Sequence, residues 1–294
     1  MKQLLLSSLV FLAIFCAQST HANTSSHQSK SRWLMHENFP SKFVNPRNVE
    51  VWLPPGYNPS IQYPVLYVHD GQNVFNPSTS YTGIAWEIDS VAESLIAKGK
   101  IIPPIVVAVW NSPLRFLEYM PNKPAENIRQ QLQQMGRAGE VISDNYLRFL
   151  VEELKPFIDR TYSTNPAPSS TFIMGASMGG LISLYAVMEY PHIFGGAACL
   201  STHWPALNGV VVDHLQNSPP DPNKVRLYFD HGTINLDSLY HPFQQRVDAI
   251  LTNAGFVMGE NLLTLKFEGA DHNERAWRDR VYRPLLFLLG KSTD

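Results

Sequence analysis

The stretch Gly175-Ala176-Ser177-Met178-Gly179-Gly180 constrains this chain more than any other. The residues before it, Ser170 to Met174, are short and apolar enough for a strand, and Leu181 to Tyr190 after it reads as a helix stopped by Pro191. A strand, a tight turn and a helix in that order put the serine at the apex of a sharp bend, with its hydroxyl projecting beyond the sheet. Glycines two residues to either side let the backbone bend and the helix pack closely. With these flanks Gly-x-Ser-x-Gly is a nucleophile elbow; without them it would be an ordinary Gly-rich turn.

An elbow needs a sheet, and the apolar runs supply one. Val49 to Leu53 alternates as a strand, Tyr63 to Val68 and Ile105 to Val109 are continuously apolar, and Gly196 to Leu200, Val225 to Phe229 and Leu262 to Phe267 are three further strands. Helical spacing covers Ala85 to Ala97, the face Tyr146, Leu147, Leu150, Val151, Leu154, Phe157 and Ile158 with Ser143 or Asp144 as cap, Phe243 to Ala254, and Asn273 to Leu289 with a kink at Pro284. Strands that are apolar throughout and alternate with helices predict an α/β fold: a mostly parallel central sheet with helices on both faces. Residues 111–139, with prolines at 113, 121 and 124 and a Gln-rich tract, read as an insertion over the sheet, a candidate lid.

At the N-terminus Lys2, the apolar stretch Leu4 to Ala17 and Thr20-His21-Ala22 form an export signal, Met1 to Ala22. Residues 23–31 are polar without an apolar period and read as a flexible leader, so the folded domain is expected over 32–294 in a secreted or periplasmic protein. No later stretch reaches about 20 continuous apolar residues, which argues against an integral membrane segment. Cleavage would leave Cys199 without a disulfide partner, so the domain must rest on its core. A net charge of -2 and no basic cluster argue against a nucleic-acid partner.

A serine hydroxyl is a weak nucleophile at neutral pH and needs a base, which in turn needs an acid to orient it. Parallel sheets place their chemistry just beyond the carboxyl ends of the strands, and with an elbow of this kind the chain order is serine, acid, histidine. His272, in the last strand-to-helix loop, fits as base, with His203 and His231 as rivals. Asp237 is the favoured acid, and Asp230, Asp271 and Glu268 compete with it. The oxyanion forming at the substrate carbonyl needs two amides. Met178, at the positive end of its helix, supplies one, and the loop after Val65 to Val68 the other, with Gln72 preferred over Gly71 and Asn73. Arg115, Tyr119, Trp110 and Trp204 follow strands and are candidates to line the substrate site, with Arg115 either holding an anionic group or pairing with Glu118.

Several of these pieces together resemble the putative esterase family of alpha/beta hydrolases, which includes esterase D and feruloyl, acetylxylan and siderophore esterases. The match runs through His69-Asp70-Gly71-Gln72-Asn73, Arg115 to Pro121, Gly175 to Gly180, Cys199 to Trp204, Gly232-Thr233 with Asp237, and Phe267 to His272 with Trp277, most of the mature chain. The resemblance implies Ser177 as nucleophile, His272 as base, Asp237 as acid, the Gln72 and Met178 amides as oxyanion hole, a small-molecule ester as substrate, and no metal or organic cofactor. An aromatic rim would suit a planar or sugar-linked acyl ester. An acyltransferase on the same fold and a catalytically inactive ligand-binding protein are the alternatives. A metal-dependent hydrolase built on His69-Asp70, Asp230-His231 and Asp271-His272 lacks a recognised ligand spacing.

Overall fold

The computed structural model describes residues 30–126, 129–134 and 140–291. The export signal and nearly all of the leader lie outside the described residues, as does part of the 111–139 insertion. Eight strands form one sheet: β1 (Arg32–Phe39), β2 (Arg47–Leu53), β3 (Val65–His69), β4 (Ile105–Val109), β5 (Thr171–Ala176), β6 (Gly196–Leu200), β7 (Arg226–His231) and β8 (Leu262–Lys266). Their spatial order is β1-β2-β4-β3-β5-β6-β7-β8. β2 runs antiparallel to both β1 and β4, and every other pairing is parallel.

Every residue of β3, β4, β5 and β6 is buried, which explains why these strands are apolar without alternation. Successive residues still divide between two layers. Val65 and Tyr67 join the core on one face of the sheet, Leu66 and Val68 that on the other. The additional strand, β1, is an edge whose inward residues are only partly buried, with Trp33 and Met35 half out in solvent, so its sequence shows no clean apolar period.

In chain order the helices are α1 (Ile88–Ala97), α2 (Arg115–Tyr119), α3 (Asn122–Glu126), α4 (Arg129–Gln134), α5 (Ser143–Arg148), α6 (Lys155–Thr161), α7 (Met178–Glu189), α8 (Val210–Asn217), α9 (His241–Asn253), α10 (Glu274–Arg280) and α11 (Tyr282–Leu289). A π-helical stretch, Phe149–Leu154, joins α5 to α6, so the long face read from Tyr146 to Ile158 is one nearly continuous rod. α7 is buried on all sides from Met178 to Val187, as an apolar helix against the centre of a sheet must be. The closing helix is two helices that part at Val281. Pro284, in the first turn of α11, has no N–H to continue the ladder from α10.

Candidate active site

The chain leaves β5 and enters α7 through Ser177, which has φ 59° and ψ -121°. A side-chain-bearing residue rarely adopts this backbone; the structure around it holds it there. The Ser177 amide donates to Leu200 O on β6, while its carbonyl accepts from Gly180 N and His203 N. The flanking glycines leave no room for a side chain: a Cβ on Gly175 would lie 2.7 Å from the Gly179 backbone, and one on Gly180 would lie 2.8 Å from Thr202 Oγ1. The bend is a packing requirement as well as a turn.

Two loops close on one another beyond β7 and β8. Thr233 N donates to Ala270 O, and Gly232 passes so near that a Cβ there would stand 2.1 Å from that same oxygen. This approach carries Asp237, in the turn Asn235–Leu239, against the imidazole of His272, with Asp237 Oδ1 2.6 Å from Nδ1. The second oxygen of Asp237, Oδ2, accepts from Gly232 N and from Ser201 Oγ, each at 2.6 Å. Burial pushes the Asp237 carboxyl up, but the hydrogen bonds from His272, Ser201 and Gly232 outweigh it and hold the group below the ordinary carboxylate range. His272 is further held edge-on between the rings of Trp277 and Tyr240, at centroid separations of 5.1 and 5.6 Å.

The competing acids are all engaged elsewhere. Asp230 is buried against Arg280 at 3.0 Å and accepts from Tyr228; Asp271 accepts from the His272 amide and from Asn235; Glu268 pairs with Lys266 at the surface. Of the rival histidines, His203 turns Nδ1 to the Tyr240 hydroxyl and His231 turns Nδ1 to Gly232 O. His69, beside the elbow, is buried and bonded to Tyr146, and its burial drives the imidazole down to about 3. The residues once grouped as metal ligands are thus spread over separate contacts. Among the described residues no group of three His, Cys, Asp or Glu is placed to hold a metal ion.

Ser177 and His272 open onto one cleft of about 450 Å³, bounded on the far side by the loop after β3. That loop is fixed by close approach: a Cβ on Gly71 would meet the Ala108 carbonyl carbon at 2.5 Å. Gln72 lies in the first turn of a short 3-10 segment, Gly71–Asn73, and Met178 in the first turn of α7, where amides have no partner within their own helix. Both residues therefore carry amides of the kind an oxyanion requires, and Gln72 borders the cleft.

The four proposed substrate contacts fare differently. Arg115 does border the cleft, but its guanidinium is paired with Asp70 through two bonds of 2.6 and 2.7 Å, and Glu118 is taken by Arg47 in a buried ion pair. Burial pushes the Asp70 carboxyl up, and the Arg115 charge beside it brings it below its usual range. Tyr119 is a core residue whose hydroxyl accepts from the Asp70 amide, and its ring lies under the Arg115 guanidinium. Trp204 is likewise in the core, donating to Gln244 and packing on Phe229. Trp110 continues β4, with its amide on Asn48 O, away from the cleft wall. The aromatic lining comes from Trp86, Trp277 and the exposed Tyr81. Trp86 and Trp277 border the cleft, a position that reading the sequence did not give them. Both lie in segments read as helix, but Trp86 falls just before α1 and Trp277 within α10, and their rings meet at 5.5 Å from segments far apart in sequence.

An eight-stranded, mostly parallel sheet with a serine elbow leaving its fifth strand is the alpha/beta-hydrolase fold. The chain belongs to the family described as "Putative esterase", which matches residues 41–283. It is therefore an esterase-family hydrolase. Among similar sequences is the protein YbbA of Bacillus subtilis (strain 168), 25% identical over 251 residues, 84% of this chain and 94% of that one. The endo-1,4-beta-xylanase/feruloyl esterase of Xylanibacter ruminicola is 26% identical over 239 residues, 79% of this chain but only 28% of that protein. Solved structures of the same fold include the enterobactin esterase of Shigella flexneri, with a TM-score of 0.65 and 18% identity over 89% of this chain, which spans 59% of that one. A ferulic acid esterase from the anaerobic fungus Anaeromyces mucronatus has a TM-score of 0.61 and 19% identity, covering 88% of this chain and 90% of its own.

Proposed function

We propose that this protein is an exported serine esterase that hydrolyses carboxylic esters through an acyl-enzyme. The observation that carries the reading is the buried Asp237 bonded to His272 Nδ1, which leaves the opposite ring nitrogen as base on the cleft that Ser177 shares. Ser177 Oγ attacks the ester carbonyl, His272 takes its proton and passes it to the leaving alcohol, and water then repeats the sequence on the acyl-enzyme. The negative charge on the carbonyl oxygen is met by the amides of Met178 and Gln72. Asp237 stays ionised and holds the imidazole in the tautomer with hydrogen on Nδ1. Export rests on the sequence of Met1 to Ala22 alone.

For the substrate, the aromatic walls Trp86, Trp277 and Tyr81 favour an ester with a planar acyl group. The relatives named as feruloyl and enterobactin esterases support the same choice. Because Asp70 already neutralises Arg115, and Glu274 adds a further carboxylate to the lining, the cleft favours neutral acyl groups over anionic ones.

Treatment with a fluorophosphonate followed by peptide mapping tests the reading directly. The adduct is expected on Ser177, and labelling should fall sharply in His272→Ala. A well-folded wild-type protein that takes no label and hydrolyses no aryl or alkyl ester would overturn it.

A further inference from the structure

The hydroxyl of Ser177 has a second neighbour that the acyl-enzyme scheme leaves idle. Its side chain lies within interacting reach of the phenol of Tyr240, and that phenol lies 2.7 Å from His203 Nδ1. The three residues come from three different loops, and each loop is tied to the site by its backbone. The His203 amide donates to Ser177 O, and the Tyr240 amide donates to Asp237 O. Tyr240 is fully buried, and its ring meets that of His272 edge-on at 84°. The nucleophile thus stands between two arms, His272 braced by Asp237 and Tyr240 braced by His203.

The direction of the second arm's hydrogen bond depends on the stage of the reaction. In the free enzyme Oγ carries a proton, and either oxygen can donate to the other. Once Oγ is acylated it has no proton, and the contact survives only with the phenol as donor. Burial, and then the charge of Asp237, push the phenol far above its usual range, so it keeps its proton throughout. We propose that Tyr240 is a catalytic residue of deacylation: its O–H donates to the ester oxygen Oγ, while His203 Nδ1 supplies the phenol oxygen with an N–H in return. A donor on Oγ draws electron density from the acyl carbonyl and so assists the attack of water. It then stabilises the charge on Oγ as the bond from the acyl carbon to Oγ breaks. The water's proton travels by way of His272 to Oγ, the acyl group leaves as the acid, and Tyr240 ends with the proton it began with. In acylation the same phenol competes with His272 for the serine, so it gives no help to that half of the cycle.

This inference rests on the serine esterase reading, and the test separates the two. Stopped-flow hydrolysis of a p-nitrophenyl ester by wild type and Tyr240→Phe gives the acylation burst and the deacylation rate separately. A hydrogen bond to a developing charge corresponds to a loss of roughly 10- to 100-fold. That loss is expected in deacylation alone, with the burst rate within about twofold of wild type, so kcat and KM fall together and kcat/KM holds. His203→Ala keeps the phenol but removes its N–H partner; it should shift the rates in the same direction, and it decides the matter if Tyr240→Phe does not fold. A merely structural role would slow both phases alike. Deacylation at the wild-type rate, or equal losses in both phases, would overturn the proposal. A wild type that forms no adduct at Ser177 would instead remove the esterase reading beneath it.

Discussion

Replacing Asp237 with asparagine changes one atom, and the surrounding hydrogen bonds decide where the new amide group must point. Ser201 Oγ accepts from Trp277 Nε1 at 3.0 Å and from Arg280 Nη2 at 2.6 Å, and neither of those groups can accept in return. Its own proton is therefore committed to Asp237 Oδ2, which also accepts from the Gly232 amide. An NH2 group in the Oδ2 position would face two donors inside the protein, at a cost of several kcal/mol. The asparagine must put its oxygen there and its NH2 against His272 Nδ1. That nitrogen then becomes an acceptor, the ring proton moves to Nε2, and the nitrogen facing the nucleophile is no longer a base. A wrong tautomer in such a triad corresponds to a loss in kcat of about 10⁴, or about 5.5 kcal/mol of transition-state stabilisation. KM should hold, because Asp237 is buried away from the substrate. Steady-state kinetics on an activated ester would check this, with Asp230→Asn as the comparison. Asp230 meets Arg280 and Tyr228, so its replacement should lower the melting temperature and spare most of the activity of the folded fraction. A loss below about tenfold in a well-folded Asp237→Asn, or losses of equal size in the two variants, would refute the assignment of the acid.

Three further outcomes are expected. Gly71→Ala would set a Cβ 2.5 Å from the Ala108 carbonyl carbon and displace the Gln72 amide, lowering kcat by about 10² to 10³, whereas Gln72→Ala, which keeps the amide, should retain most activity in the same assay. Because burial holds the folded pKa of His69 at about 3 against an unfolded value of 6.5, the unfolded chain binds the extra proton in between, and its share of stability is complete above pH 6.5 and drains as pH falls. Urea unfolding should show wild type losing about 3 kcal/mol more than His69→Gln between pH 7.5 and 4.5, and equal losses would count against a neutral buried imidazole. N-terminal sequencing of protein recovered outside the cytoplasm should begin at Asn23, and recovery only of cytoplasmic chains starting at Met1 would contradict export.

What could be read from the sequence was what local chemistry enforces. The elbow, the central strands and the chain order of serine, acid and histidine are legible because each needs particular residue types at short spacing, with glycines where backbones nearly touch. β1 gave no signal because its inward residues Leu34, His36 and Phe39 are only partly buried and interrupted by polar ones, so no apolar run or clear alternation appears. The same limit divides the site. Asp237 is singled out among four carboxylates by its place in the chain, and the structure adds that it alone meets the His272 ring through its side chain, while Asp230 is bonded to Arg280, a residue 50 positions away. The proposed substrate wall divides for the corresponding reason: Arg115 borders the cleft, while Tyr119 and Trp204 are core residues. Trp110, Tyr119 and Trp204 all follow strands, as does Arg115, but whether a large ring faces a cleft or the core depends on which helix lies over it. Trp204 is covered by α9 through Gln244, and Tyr119 by Arg115, whereas Trp86, just before α1, and Trp277, in α10, border the cleft with their rings in contact. Tyr240 was hidden twice over. Nothing around it in sequence marks chemistry, and its place beside His272 and His203 exists only because the turn that delivers Asp237 to His272 continues three residues further. In this chain candidate charge-bearing residues can be nominated by type and order, while those that shape the pocket are fixed by packing between distant segments.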